Sequence, residues 1–166
     1  MTAPPHALKA SLGLKTASTL VPRADGAASG AFVLYADGSS LNNPGPSGAG
    51  ALLFDRDGDL VFRLSIHLGN GTSNFAEYRA LILGADEALE RGVDDIDIRM
   101  DSLLVVNQVN GLWKIKSPRL KELHILALRI LSRFRRWKLS HIPREQNGQA
   151  DKAAREASGS PGRPGA

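Results

Sequence analysis

The stretch that most limits what this chain can become is Ala31-Phe32-Val33-Leu34-Tyr35-Ala36 followed by Asp37-Gly38-Ser39-Ser40-Leu41-Asn42-Asn43-Pro44-Gly45. An apolar run stops at a carboxylate, and Gly, Asn and Pro then turn the chain back. The pattern predicts a strand that delivers Asp37 to its C-terminal end, followed by a tight polar loop. Taken alone, Asp37 is equally well explained as the first residue of an Asx-type turn. Three more acids stand at comparable junctions: Glu77 at the start of a helical pattern, Asp101 after a second apolar run, and Asp151 at the start of a last helical pattern. Carboxylates gathered in one place raise each other's pKa and resist ionising together, so such a set makes sense as a cage for a cation. The chain has no cysteine, which leaves oxygen or imidazole as the metal ligands and excludes a disulfide framework.

The remaining chain supplies places for these acids. Gly48 to Phe54 and Leu60 to Leu68 read as antiparallel strands around Asp55-Arg56-Asp57-Gly58-Asp59, with Gly58 providing the positive φ of the turn. The small residues Gly48, Ala49 and Gly50 admit a close neighbour, either a helix or a substrate. Phe75 to Arg91 carries a helical apolar pattern that Thr72, Ser73 or Asn74 can cap. Glu77 then falls in or near the first turn, where dipole compensation or a capping box on Asn74 is the competing explanation. Ile96 to Met100 reads as a strand ending at Asp101-Ser102 and lying parallel to the first. Both Asp37 and Asp101 are thereby placed at carboxyl ends of strands, where open sheets bind ligands. A short helix from Leu103 to Gly111 follows. Leu112-Trp113-Lys114-Ile115-Lys116 sets an aromatic among cations, either to stack on nucleic acid or to cover the edge of the core. Ser117-Pro118 caps a helix reaching Phe134, Trp137 to Ile142 is a last strand, Pro143 to Gly148 a mobile polar loop, and Gln149 to Ala157 a closing helix with Asp151 in its first turn.

At 166 residues the chain fits one domain. Its formal charge is only +4, but the placement is uneven: between Gly111 and Arg144 ten Lys or Arg residues accompany a single acid, Glu122. Such a segment is either a phosphate-facing surface or a solvated helix face. Residues 1–30, rich in Ala, Pro, Ser and Gly, lack an apolar signal core or a sustained amphipathic period and read as a disordered leader. Residues 31–158 hold the folded domain and residues 159–166 a flexible tail. No run approaches the roughly 18 apolar residues of a membrane span. The expectation is a cytoplasmic monomer with no membrane association and no obligate protein partner.

Asp37-Gly38-Ser39 with Asn43-Pro44-Gly45, then Thr72-Ser73-Asn74-Phe75-Ala76-Glu77-Tyr78, then Asp101-Ser102, then His141-Ile142-Pro143-Arg144-Glu145-Gln146-Asn147 and Ala150-Asp151 resemble type 1 ribonuclease H in order and separation. The resemblance spans roughly residues 31 to 158, in a short form without a basic protrusion or an N-terminal hybrid-binding domain. It implies an α/β fold, with a mixed five-stranded sheet of order 3-2-1-4-5 flanked by helices. It also implies an endonuclease that hydrolyses the RNA strand of RNA/DNA hybrids and leaves 3'-hydroxyl and 5'-phosphate ends. The cofactor implied is a pair of Mg2+ ions, or Mn2+, with Asp37 bridging both, Glu77 and Asp101 on the water-activating ion and Asp151 on the other. His141 matches a histidine that assists proton movement, with a strand-end structural histidine as the alternative. Asn43, Ser73 and Asn74 match hybrid contacts in the minor groove, Thr72 a phosphate contact, and Trp113 and Lys114 lie in the basic stretch that supplies affinity. Leu103 and Asn70 depart from the pattern, standing where relatives carry a contacting Gln and Arg. The alternatives are a catalytically silent binding module of the same fold and a superfamily member that acts on DNA.

Overall fold

A computed structural model describes residues 30–159; the other residues of the expected leader and tail lie outside them. The chain runs β1 (Phe32–Ser40), β2 (Gly45–Phe54), β3 (Leu60–Gly71), α1 (Ser73–Glu90), β4 (Asp95–Met100), α2 (Leu103–Val109), α3 (Pro118–Leu131), β5 (Arg136–His141), a 3-10 turn (Arg144–Gln146) and α4 (Gly148–Ser158). The five strands form one sheet in the order β3-β2-β1-β4-β5. β2 is antiparallel to β1 and β3, while β4 is parallel to both β1 and β5. This is the mixed sheet expected from the resemblance.

Strand alternation sorts β1 between two layers. Leu34 and Ala36 are fully buried on the face covered by α1, where Gly84 of that helix comes against the Leu34 side chain. Tyr78, Leu81, Ile96, Ile98, Met100, Val105 and Leu131 complete this core. Each such large apolar side chain contributes about 1.5–3 kcal/mol by leaving water. The opposite face is closed by α4 through small residues: a Cβ on Gly48 or Gly50 would overlap the α4 backbone at Ala154 or Ala150. The small run in β2 therefore serves helix packing.

Several boundaries differ from the sequence reading. β1 does not end at Asp37 but runs to Ser40, because β2 begins at Gly45 and keeps pairing with it out to Ser40↔Ser47. Its parallel pairing with β4 stops at Ala36↔Met100, so Asp37 is where the central strand loses one neighbour. α1 starts at Ser73, since the Thr72 hydroxyl accepts the Phe75 N–H at 3.1 Å and fixes the cap there. Glu77 is consequently in the second turn, and the capping box on Asn74 does not form. α3 stops at Leu131, and Phe134 reaches the core from the following turn. The Pro143–Gly148 segment is not a plain loop, for it holds the 3-10 turn and a buried Asn147. Among the described residues no helix is long and apolar enough to cross a membrane.

Candidate active site

The site is assembled by the neighbours of Asp37 in the chain and on both sides of it in the sheet. Gly38 points at α1, where a Cβ would overlap the backbone of Ala76 and Glu77. Only glycine lets the second turn of α1 rest on β1 so closely, and this seats Glu77 beside Asp37. On the parallel side, Ala36 pairs with Met100, so Asp37 and Asp101 stand side by side one residue beyond the last residues that pair β1 with β4. Across the antiparallel side, Asp37 pairs with Gly50, and Gly50 is the glycine that admits the Ala150 carbonyl of α4. Asp151 follows directly. Four separate elements thus bring the four acids to one end of the sheet.

The caps decide which of these acids have a simpler explanation. Thr72 caps α1, and Ser102, not Asp101, caps α2 by accepting the Val105 N–H at 3.2 Å. Neither Glu77 nor Asp101 is needed for capping. Asp151 does sit in the first turn of α4, where Asn147 gives no side-chain cap, and it pairs with Arg155 at 3.0 Å. For that residue, offsetting the helix dipole is a second role alongside any at the site.

Asp37 is 6% exposed, and its carboxyl is pushed up to about 8. Burial is the main cause, followed by the negative charges of Asp101, Glu77 and Asp151; the Gly38 N–H, donating at 2.9 Å, opposes the shift. Glu77 is raised to about 7 by burial and Asp101, against a hydrogen bond from the Ser102 hydroxyl and the nearby Arg144 cation. Arg144 also stands 3.9 Å from Asp101. Hard carboxylate oxygens held at this cost in ionisation fit a divalent cation such as Mg2+ or Mn2+, whose charge would remove the repulsion.

Asn147 is the residue whose role sequence reasoning missed. The sequence reading places it in a mobile polar loop, yet the side chain turns inward, 1% exposed, and donates to the Ala36 carbonyl at 3.0 Å and to Asp101 Oδ1 at 3.3 Å. It ties the approach to α4 to both strands that carry the first and third acids. Its Oδ1 is buried with no hydrogen-bond partner. The only forewarning was its presence in the motif that carries the resemblance.

The other expected site residues are distributed around this centre. The Asn43 side-chain oxygen accepts the Ser73 N–H at 2.9 Å, which joins the β1–β2 loop to the start of α1 and brings Asn43, Thr72, Ser73 and Asn74 together. His141 is exposed, is the last residue of β5 and pairs with Met100, next to Asp101. Trp113 is 47% exposed and Lys114 is exposed. The one-signed basic stretch is partly committed elsewhere: Arg135 and Arg136 pair with Asp94 and Asp95, and Arg119 lies 4.3 Å over the Phe75 ring.

The four acids are more widely spread than another group. Among the described residues, Asp55, Asp57 and Asp59 form the trio whose oxygens lie within 4.8 Å of one another. That closeness comes from the β2–β3 turn itself, because Asp55 Oδ1 accepts the backbone N–H groups of Asp57 and Asp59 at 2.8 and 3.0 Å.

Residues 35–157 match the family model described as reverse transcriptase-like. A bifunctional protein of Mycobacterium tuberculosis is 43% identical over 126 residues, covering 75% of this chain and 35% of that protein. The solved N-terminal RNase H domain from that organism superposes with a TM-score of 0.75 at 40% identity, over 77% of this chain and 98% of that one. Ribonuclease HI of Halobacterium salinarum is 41% identical over 74% of this chain and 62% of its own length. A second structure, the compost-derived LC11 RNase H1 in complex with an RNA/DNA hybrid, gives a TM-score of 0.72 at 36% identity over 76% of this chain and 96% of that one. The chain therefore spans less than two thirds of the mycobacterial and halobacterial relatives. Within the reverse transcriptase-like group, it belongs to the type 1 ribonuclease H family.

Proposed function

We propose that this chain is an endonuclease that hydrolyses the RNA strand of RNA/DNA hybrids with two divalent ions, Mg2+ or Mn2+, held by Asp37, Glu77, Asp101 and Asp151. The observation that carries this reading is the buried Asp37 carboxyl, raised to about 8 by burial and by three other acids converging on it. A binding module for polyanions gains nothing from concentrating negative charge where phosphate must approach, so the silent-module reading leaves the cluster without a purpose. Bound ions would supply Lewis acidity at the scissile phosphate and a water of lowered pKa. The protein's own part is to hold the four carboxylates in place from rigid elements, with Asn147 and Ser102 orienting Asp101 and Glu77. In-line attack by water then leaves 3'-hydroxyl and 5'-phosphate ends with no covalent enzyme intermediate. His141, exposed beside the Asp101 end of the sheet, serves as a proton carrier for the departing product.

Recognition is assigned to two surfaces. Asn43, Thr72, Ser73 and Asn74 meet the hybrid at the start of α1, where amide and hydroxyl groups can read a 2'-hydroxyl or grip a phosphate. Trp113 and Lys114 offer stacking and charge. The crystal complex of the LC11 relative with an RNA/DNA hybrid supports the choice of substrate. We read the active species as a monomer. The test is incubation of the full chain with labelled RNA/DNA hybrid, double-stranded DNA and double-stranded RNA, each with Mg2+ or Mn2+. Cleavage confined to the RNA of the hybrid, with 5'-phosphate ends, is expected; cleavage of duplex DNA, or of nothing, overturns the reading.

A further inference from the structure

The segment between α2 and α3 has no regular secondary structure, yet its backbone is pinned. The Asn107 carbonyl accepts the N–H groups of Leu112 and Trp113 at 2.8 and 3.2 Å. Behind it, the fully buried Tyr78 donates its hydroxyl to Gln108 Oε1 at 2.8 Å, and Gln108 Nε2 donates to the Lys114 carbonyl at 3.3 Å. Gln108 is itself 5% exposed. Burying a tyrosine hydroxyl and a primary amide is costly unless each finds a partner, and here the chain of partners ends on the backbone of an exposed strip. Tyr78 adjoins Glu77 in α1. A relay of two buried polar side chains therefore fixes the strip against the helix that carries one of the active-site acids.

We propose that Gln108, held in its rotamer by Tyr78, is a positioning residue for hybrid binding: it sets the carbonyl of Lys114, and thereby the Trp113 and Lys114 side chains, at a fixed station relative to the active-site carboxylates. The inference rests on the reading of Trp113 and Lys114 as substrate contacts. It assigns neither buried residue any contact with substrate. A strip held in advance spares the ordering cost that a free loop pays on binding, so loss of the relay acts on affinity and not on the chemical step.

The test measures hybrid affinity in full-length protein with cleavage blocked by Asp37→Asn, using anisotropy of a labelled hybrid, and KM and kcat in the otherwise unchanged enzyme. Gln108→Met keeps the volume but cannot donate to Lys114, and is expected to raise Kd and KM about fivefold with kcat altered less than about twofold. Tyr78→Phe, which removes one oxygen, acts in the same direction by about two- to threefold and decides the matter if Gln108→Met does not fold. Trp113→Ala with Lys114→Ala removes the side chains being positioned; on that background Gln108→Met is expected to add almost nothing, since its effect passes through them. An equal penalty in both backgrounds, a fall in kcat without a rise in KM, or an unchanged Kd overturns the inference. If Trp113→Ala with Lys114→Ala itself leaves Kd unchanged, the substrate reading of the strip fails instead.

Discussion

Two groups of acids in this molecule can be set side by side. Asp55, Asp57 and Asp59 lie closer together, within one turn in which Asp55 is buried and the other two are exposed, and backbone N–H groups occupy the Asp55 oxygen. Asp37, Glu77, Asp101 and Asp151 come from four elements and are farther apart, yet burial and mutual charge lift Asp37 to about 8 and Glu77 to about 7. Spacing alone would choose the turn, whereas the function proposed above rests on the other group. A turn gathers acids because neighbouring residues have no choice, and the local backbone compensates them. Gathering acids from distant parts of the chain takes a glycine where a helix meets the sheet, two parallel strands in register and a buried asparagine. On the function proposed above, work done by the fold against electrostatics is what distinguishes the second group.

The comparison breaks most visibly in activity. Asp37→Asn keeps the shape and the Gly38 hydrogen-bond acceptor while removing a ligand charge, and is expected to reduce hybrid cleavage by roughly a thousandfold or more with the circular dichroism spectrum unchanged. Asp59→Asn in the turn is expected to stay within about twofold of the parent. Comparable losses in both variants would erase the distinction.

The next effect is on stability. In the folded chain Asp37 titrates near 8 against an ordinary value of 3.8, so between these pH values the native state holds a proton that the unfolded chain has released. Stability must then fall as pH rises through that window, and Glu77, raised from 4.5 to about 7, adds to the fall over the lower part of it. At about 1.4 kcal/mol per pKa unit the loss by pH 8 is on the order of a few kcal/mol. Urea denaturation in chelator from pH 4 to 9 should show a midpoint that declines with pH in the parent and much less in Asp37→Asn. Added Mg2+ should flatten the parent's curve. Parallel curves for the two proteins would mean that the acids do not share the strain assigned to them.

These effects also show what a sequence can and cannot convey. The hairpin at Gly58 and the proline-led start of α3 were legible because each is written in local periodicity or in a short motif, and the strand order came with the resemblance that those motifs carry. The end of β1 was not, since its last three residues are held by a partner strand whose start depends on a distant pairing. Asn147 was missed for a related reason: within a polar loop nothing local marks one Asn as buried, and only the folded sheet offers it the Ala36 carbonyl. Glycine gave the opposite lesson, for Gly38 looked like a turn residue and is in fact the contact surface of α1.

That contact yields the third expectation. In Gly38→Ala the new methyl meets backbone atoms of Ala76 and Glu77, which cannot rotate aside as a flexible side chain could. Overpacking of this kind costs about 1–3 kcal/mol, and because the displaced turn carries Glu77 the same variant should lose activity well beyond what its folded fraction explains. A thermal melt paired with a specific-activity assay separates the two. Lost stability with full activity would show that Glu77 tolerates displacement and would weaken its place in the quartet.

The smallest effect belongs to the turn. Asp55→Ala removes the oxygen that accepts the Asp57 and Asp59 N–H groups, and both of those residues are exposed, so water can replace part of what is lost. A cost of about 1–2 kcal/mol in urea denaturation follows from breaking such a local cap, with Asp55→Asn recovering most of it because one acceptor oxygen remains. Neither variant should alter the Mg2+ dependence of hybrid cleavage. A shift in that dependence in Asp55→Asn, which keeps the hydrogen-bonding shape and removes only the charge, would show that the turn acids act at the site through their field. The division between locally compensated and functionally strained carboxylates would then be one of degree.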